Sequence, residues 1–180
     1  MKGPNSRPTN KGMVRALNRR GTRADMSPPV VRKAAVKDPS ICDRCGAVYT
    51  AKTWRGGRRL TSELLTAATY TTCPACEQVK GGDEYYGRVL IRGAFAGKNL
   101  DRISARITNV EKRATATQPE RKIVSQEWDG KALEVLTTSQ KLAHRIGREL
   151  EKAFGGRARF VWDDEGTLTT TWQHEARAPR

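Results

Sequence analysis

Cys42-Asp43-Arg44-Cys45-Gly46 and Cys73-Pro74-Ala75-Cys76 bound the stretch that decides how this chain is organised. They hold all four cysteines of the 180 residues, as two C-x-x-C pairs. Two residues between cysteines allow a tight turn that aims both sulfurs at one point and leaves backbone N–H groups to bond them. Two such knuckles facing each other make the tetrahedral four-sulfur shell that zinc prefers, with Zn–S near ~2.3 Å. Four thiolates leave no position for water, so the spacing predicts one structural Zn2+ on Cys42, Cys45, Cys73 and Cys76. The 27 residues between Cys45 and Cys73 exceed the roughly 15–20 of the usual ribbon, which predicts a lobe between the knuckles. Two disulfides are the alternative pairing, and a reducing compartment favours metal.

Working outward, the composition points to a polyanion partner. The net charge is +15, the pI about 10.2, and only 37% of residues are hydrophobic. Nucleic acid is the commonest partner of such a surplus. The charge is spread along the chain rather than gathered on one amphipathic helix, which argues against a membrane surface. No apolar run approaches the ~18 residues of a span, and residues 1–7 lack the apolar segment of a secretory signal. A cytoplasmic location is expected.

Residues 1–39 read as a disordered basic tail. Ten Lys and Arg, among them Arg15, Arg19, Arg20 and Arg23, face only Asp25 and Asp38, and five prolines interrupt any periodicity. Such a segment buries too little apolar surface to offset its ordering entropy. It can neutralise phosphates and order against RNA on contact, or serve only as a solubiliser.

Residues 40–86 read as a zinc ribbon with an inserted basic arm and a short helix. Gly46 to Tyr49 closes the first knuckle and starts a hairpin arm that ends near Trp54, with Gly56-Gly57 as its tip. Arg44 sits in the knuckle, and Lys52, Arg55, Arg58 and Arg59 crowd the arm. Trp54 among these cations can stack on an exposed base, or it can pack over the zinc site; the arginines suit phosphates. A four-thiolate zinc carries a charge of −2, which Arg44, Lys52, Arg55 and Lys80 are placed to offset. Thr61-Ser62-Glu63 marks a helix start.

Residues 87–176 change pattern and read as a second domain. Arg88 to Arg92 is a strand, and Asn99 is placed to cap a helix with Leu100, Ile103, Ile107, Val110 and Ala114 on its buried face. Lys122 to Trp128 and Lys131 to Thr137 form a hairpin through Asp129-Gly130. Ser139 caps a second helix carrying Leu142, Ala143, Ile146, Leu150 and Phe154, which ends at Gly155-Gly156. A last hairpin turns at Asp163-Asp164-Glu165-Gly166. This order is the split βαβ pattern plus one strand. The fold class expected is α+β: a small four-cysteine zinc ribbon followed by a ferredoxin-like antiparallel sheet with two helices on one face.

Catalysis finds little support. His144 lies in the middle of a helix and His174 near the polar end, 30 residues apart. No serine sits in a nucleophile elbow and no phosphate-binding glycine loop follows a strand. Asp163, Asp164 and Glu165 are solvated turn formers. The chain reads as a binding protein rather than an enzyme, with no small-molecule substrate.

Two segments carry a family resemblance. Cys42-Asp43-Arg44-Cys45-Gly46-Ala47-Val48-Tyr49, Trp54 and Cys73-Pro74-Ala75-Cys76 resemble an uncharacterised bacterial family of short zinc-ribbon proteins. That family is similar to the N-terminal half of the archaeal and eukaryotic adaptor for nuclear export of the large ribosomal subunit. Leu133 to Gly147 resembles that adaptor's strand-to-helix segment. The likeness spans roughly residues 40–175. The adaptor's additional cysteine pairs and C-terminal β domain have no counterpart in this sequence, so nuclear export does not transfer. The resemblance implies binding to the large (50S) ribosomal subunit, with the ribbon against rRNA and a task in maturation, quality control or hibernation. The alternative is a zinc-ribbon regulator that binds DNA or RNA polymerase, with Arg102, Arg106, Lys112 and Arg113 on an exposed helix.

Overall fold

The computed structural model describes residues 35–82 and 84–174, which form an α+β protein with two mixed sheets and five helices. Arg15, Arg19, Arg20 and Arg23 lie outside the described residues. The smaller sheet is built from β1 (Ser40–Cys42), β2 (Val48–Thr50), β3 (Thr53–Arg55) and β4 (Thr69–Thr71), in the order β3-β2-β1-β4. Neighbours are antiparallel except β1 and β4, which run parallel in the register Ile41 to Tyr70. Helix α1 (Ser62–Ala67) fills the gap between the knuckles, and the Thr61 hydroxyl caps it by accepting from the Leu64 N–H at 3.3 Å. Helix α2 (Pro74–Gly81) starts inside the second knuckle with proline at its first position, where the missing N–H costs no hydrogen bond.

The larger sheet has the order β6-β7-β5-β9-β8, from β5 (Gly87–Arg92), β6 (Ile123–Trp128), β7 (Ala132–Thr137), β8 (Arg157–Trp162) and β9 (Leu168–Gln173). Helix α3 (Ala94–Lys98) is followed directly by α4 (Leu100–Thr115), and α5 (Gln140–Phe154) crosses β7, β5, β9 and β8. Alternate residues Val89, Ile91, Leu133, Val135, Leu168 and Trp172 turn one face of the sheet toward the helices. There they meet Ile103, Ile107 and Val110 of α4 and Leu142, Ile146 and Leu150 of α5 in one fully buried cluster. Gly147 brings α5 close to the sheet: a Cβ there would stand 2.6 Å from the Thr170 methyl. Across the two helices, the Glu149 carboxylate of α5 accepts from Arg106 at 2.7 Å and Arg113 at 3.2 Å of α4.

Several expectations are corrected. The sheet is not wholly antiparallel, because β9 inserts between β5 and β8 and runs parallel to β5 in the register Val89 to Thr170. It carries three helices rather than two, since α3 precedes α4. Asn99 makes no side-chain cap; its amide donates to the Phe95 carbonyl at 3.0 Å and so closes α3 instead. Ser139 does cap α5, accepting from the Lys141 N–H at 3.2 Å.

The tip of the basic arm is also elsewhere than expected. The turn joining β2 to β3 is Ala51-Lys52, with φ of 50° and 61°, the pair of left-handed residues that a tight hairpin demands. Asp38 holds this turn by accepting from the Ala51 N–H at 2.7 Å. Gly56-Gly57 follow β3 and lie against the end of α4, where a Cβ on Gly56 would collide with the Thr115 carbonyl oxygen.

Candidate metal centre and adjoining cationic groove

The sulfurs of Cys42, Cys45, Cys73 and Cys76 all lie within 4.8 Å of one another, and the four cysteines are free. Cys45 and Cys73 are separated by 3.8 Å at sulfur. A tetrahedron with metal–sulfur bonds of about 2.3 Å has edges of about 3.8 Å, whereas a disulfide needs about 2.05 Å. The donor set therefore fits one thiolate-bound metal ion.

Local structure explains why these residues converge. After β1, Gly46 turns with φ 68° so that its N–H reaches the Cys42 carbonyl at 3.0 Å and the Cys42 N–H meets Ala47 at 2.8 Å. Parallel pairing of β1 with β4 then delivers the second knuckle beside the first, and the Cys73 N–H donates to the Cys42 sulfur at 3.3 Å. Thr72 closes the junction, its hydroxyl donating to both oxygens of Asp43 at 3.0 and 3.1 Å.

Charge explains what the cluster needs. Burial pushes the Cys42 thiol up, but backbone N–H groups of Cys73, Cys45 and Arg44 outweigh it and bring it down to about 7. Burial raises Cys76 to about 11 and pushes Cys73 up further, where its neighbouring thiols add to the effect. Four sulfurs in one close shell repel each other as anions, and a divalent cation at their centre removes that cost.

The cation that meets the cluster from outside is Lys122, just before β6 of the larger sheet. Burial works against its charge, yet the sulfurs of Cys45, Cys76 and Cys73 raise its pKa above the ordinary lysine value. Its backbone is fixed by the Thr138 hydroxyl, which accepts from the Lys122 N–H at 2.8 Å and itself donates to the Glu120 carbonyl at 2.6 Å. The sequence placed the compensating charge on Arg44, Lys52, Arg55 and Lys80, all close to the cysteines along the chain. Lys122 is 46 residues beyond Cys76, and no local pattern marks it.

Of the residues singled out for RNA, the structure gathers Trp54, Arg55 and Arg58 and scatters the others. These three line an open cavity of about 560 Å³ with Thr53 and Gly56, opposite Ala116, Thr117, Gln118 and Glu120. A second cavity of about 210 Å³ adjoins it through Gly56 and Ala116, and is lined by Cys45, Lys112 and Lys122. Lys52 is at the hairpin turn, Arg44 is exposed on the first knuckle and Arg59 is exposed beyond the arm. Trp54 packs against the cysteine cluster and Tyr49 (ring centroids 5.3 Å apart), and it also lines the groove. Arg58 donates to the Thr50 hydroxyl at 3.2 Å.

No protein-family model, curated protein or solved structure matches this chain.

The two histidines are packing residues. His144 lies on Phe160 at 4.4 Å, and burial with Arg148 nearby lowers its pKa. His174 stacks on Phe95 at 4.0 Å, a contact no sequence signal announced. Among the described residues no helix is long and apolar enough to cross a membrane.

Proposed function

We propose that this protein is a non-enzymatic factor of the large ribosomal subunit that binds rRNA through its basic tail and a ribbon held by one structural Zn2+. The observation that carries the reading is the placement of Trp54, Arg55 and Arg58 around one open groove beside the four-cysteine cluster. An aromatic face among arginines suits an unpaired base and its phosphates, and a closed thiolate shell suits zinc as scaffold rather than catalyst. The larger unit fits the same reading as a split βαβ sheet enlarged by β9. The large-subunit assignment rests on the resemblance of Cys42–Tyr49, Cys73–Cys76 and Leu133–Gly147 to the export adaptor. A cytoplasmic site of action follows from that partner.

The test is sedimentation of tagged protein with ribosomes. Association with 50S or 70S particles at low salt, lost at a few hundred millimolar, is the expected result for phosphate contacts. Protein that stays at the top of the gradient overturns the proposal, and co-purification with RNA polymerase subunits instead would assign it to transcription.

A further inference from the structure

We infer that the groove between the basic arm and the α4–β6 connection is a pocket for one unstacked, amino-bearing base of single-stranded RNA; this rests on the RNA-binding reading above and specifies its ligand. The volume of about 560 Å³ falls within the roughly 300–1,000 Å³ of small-ligand sites, so it admits a nucleotide and excludes a duplex.

The two walls differ in chemistry, and that difference orients the ligand. On the arm side, Arg55 and Arg58 supply positive charge and Trp54 supplies an aromatic surface. This side takes phosphates and the base face. On the other side stand Gln118 and Glu120, whose side chains make no hydrogen bond among the described residues, and Thr117, whose hydroxyl donates to the Ala114 carbonyl at 3.3 Å. Ala116, just past the end of α4, lines the same wall. A carboxylate and the negative end of a helix repel a phosphate and accept from N–H donors.

The exocyclic amino group of adenine or cytosine offers such donors on its Watson–Crick edge. Uracil presents carbonyls on both sides of its single N–H, and these meet the carboxylate unfavourably. The pocket therefore discriminates by base while the arginines bind any sequence.

The experiment is fluorescence anisotropy with the full-length zinc-loaded protein and labelled 12-mers of oligo(A), oligo(C) and oligo(U), with a duplex as competitor. Oligo(A) and oligo(C) are expected to bind about tenfold or more tighter than oligo(U), within the range of one well-placed stacking and edge contact. Glu120→Gln is expected to erase that preference. Arg55→Ala is expected to weaken all single strands alike; both residues are exposed, so the fold tolerates either change. Trp54→Phe keeps the packing on the cysteine cluster and should retain most of the affinity. Equal affinity for the three oligomers, or Glu120→Gln and Arg55→Ala indistinguishable from wild type while RNA still binds, overturns the pocket and leaves the RNA-binding reading standing. Absence of binding to any RNA overturns both.

Discussion

Asp43 of the first knuckle and Thr72, which precedes the second, are joined by a forked hydrogen bond from one hydroxyl to both carboxylate oxygens, at 3.0 and 3.1 Å. This link sets the distance between Cys42 and Cys73 independently of any ion, so the two halves of the sulfur shell meet already aligned. Outer partners of this kind typically govern metal affinity by about 10–100-fold. Asp43→Ala is expected to lose affinity in that range while Arg44→Ala does not, as read by competition against a chromogenic chelator.

Metal content and folding should be inseparable in the smaller unit. Protein purified without chelators is expected to carry one zinc per chain, and a value near zero refutes the site. Cys73→Ser should abolish binding and unfold the ribbon, because metal-binding energy is folding energy in so small a core. Cys45→Ser, at the exposed corner of the cluster, should retain weaker binding. In both variants the larger sheet, whose apolar cluster shares no residue with the ribbon, should keep its cooperative transition.

Gly56 tests the seam between the units. Gly56→Ala forces a Cβ into the Thr115 carbonyl, and backbone on both sides must shift, an overpacking cost of about 1–3 kcal/mol. Gly81→Ala is the control: nothing lies within 4 Å of its added carbon, and a helical alanine there gains at most ~1 kcal/mol. Denaturant midpoints of the two variants should move in opposite directions.

Glu149 provides a pH signature. Burial raises its pKa, but Arg113 and Arg106 outweigh burial and hold it below the ordinary 4.5. The native state thus binds its proton less readily than the unfolded chain. Its stabilisation is complete above about pH 4.5 and fades as pH falls through the lowered native value. Glu149→Gln should cost about 1–2 kcal/mol at neutral pH and less below pH 4, as measured by urea melts across that range.

Removal of residues 1–34, which spares the Asp38 bond to Ala51, should leave the fold intact. RNA affinity should drop, and its dependence on salt should become shallower because fewer phosphates are neutralised. Unchanged affinity would make the tail a solubiliser only.

Much of this was legible locally. Thr61 and Ser139 announced their helices because a hydroxyl before an apolar 3-4 run is a self-contained signal, and the spacing found the buried Ile103, Ile107, Val110 and Ala114 of α4 and Leu142, Ala143, Ile146 and Leu150 of α5, with Leu100 and Phe154 only partly buried. The cysteine spacing likewise placed four sulfurs in one shell. What escaped was either short or remote. Strand β4 and helix α3 span 3 and 5 residues, too few for periodicity to register. Ala51-Lys52 adopts a left-handed turn with neither Asn nor Gly, so the neighbouring Gly56-Gly57 drew the reading. Lys122, Gln118 and Glu120 reach the site only because the α4–β6 connection of the larger unit packs against the ribbon, and the place of β9 depends on pairing across the whole larger unit.

That place of β9 constrains how the protein is made. Leu168 pairs with Gly87 and Gln173 with Arg92, so the centre of the larger sheet closes across some eighty residues of intervening chain. On a translating ribosome, β5 emerges with one flank open, and every strand needed to cover it on that side is synthesised last. The ribbon can bind its metal and set early, since its elements lie within residues 40–81. The larger unit must wait, exposing one unpaired flank of its central strand for most of its own synthesis. Late truncation should therefore be far more damaging to this protein than early truncation.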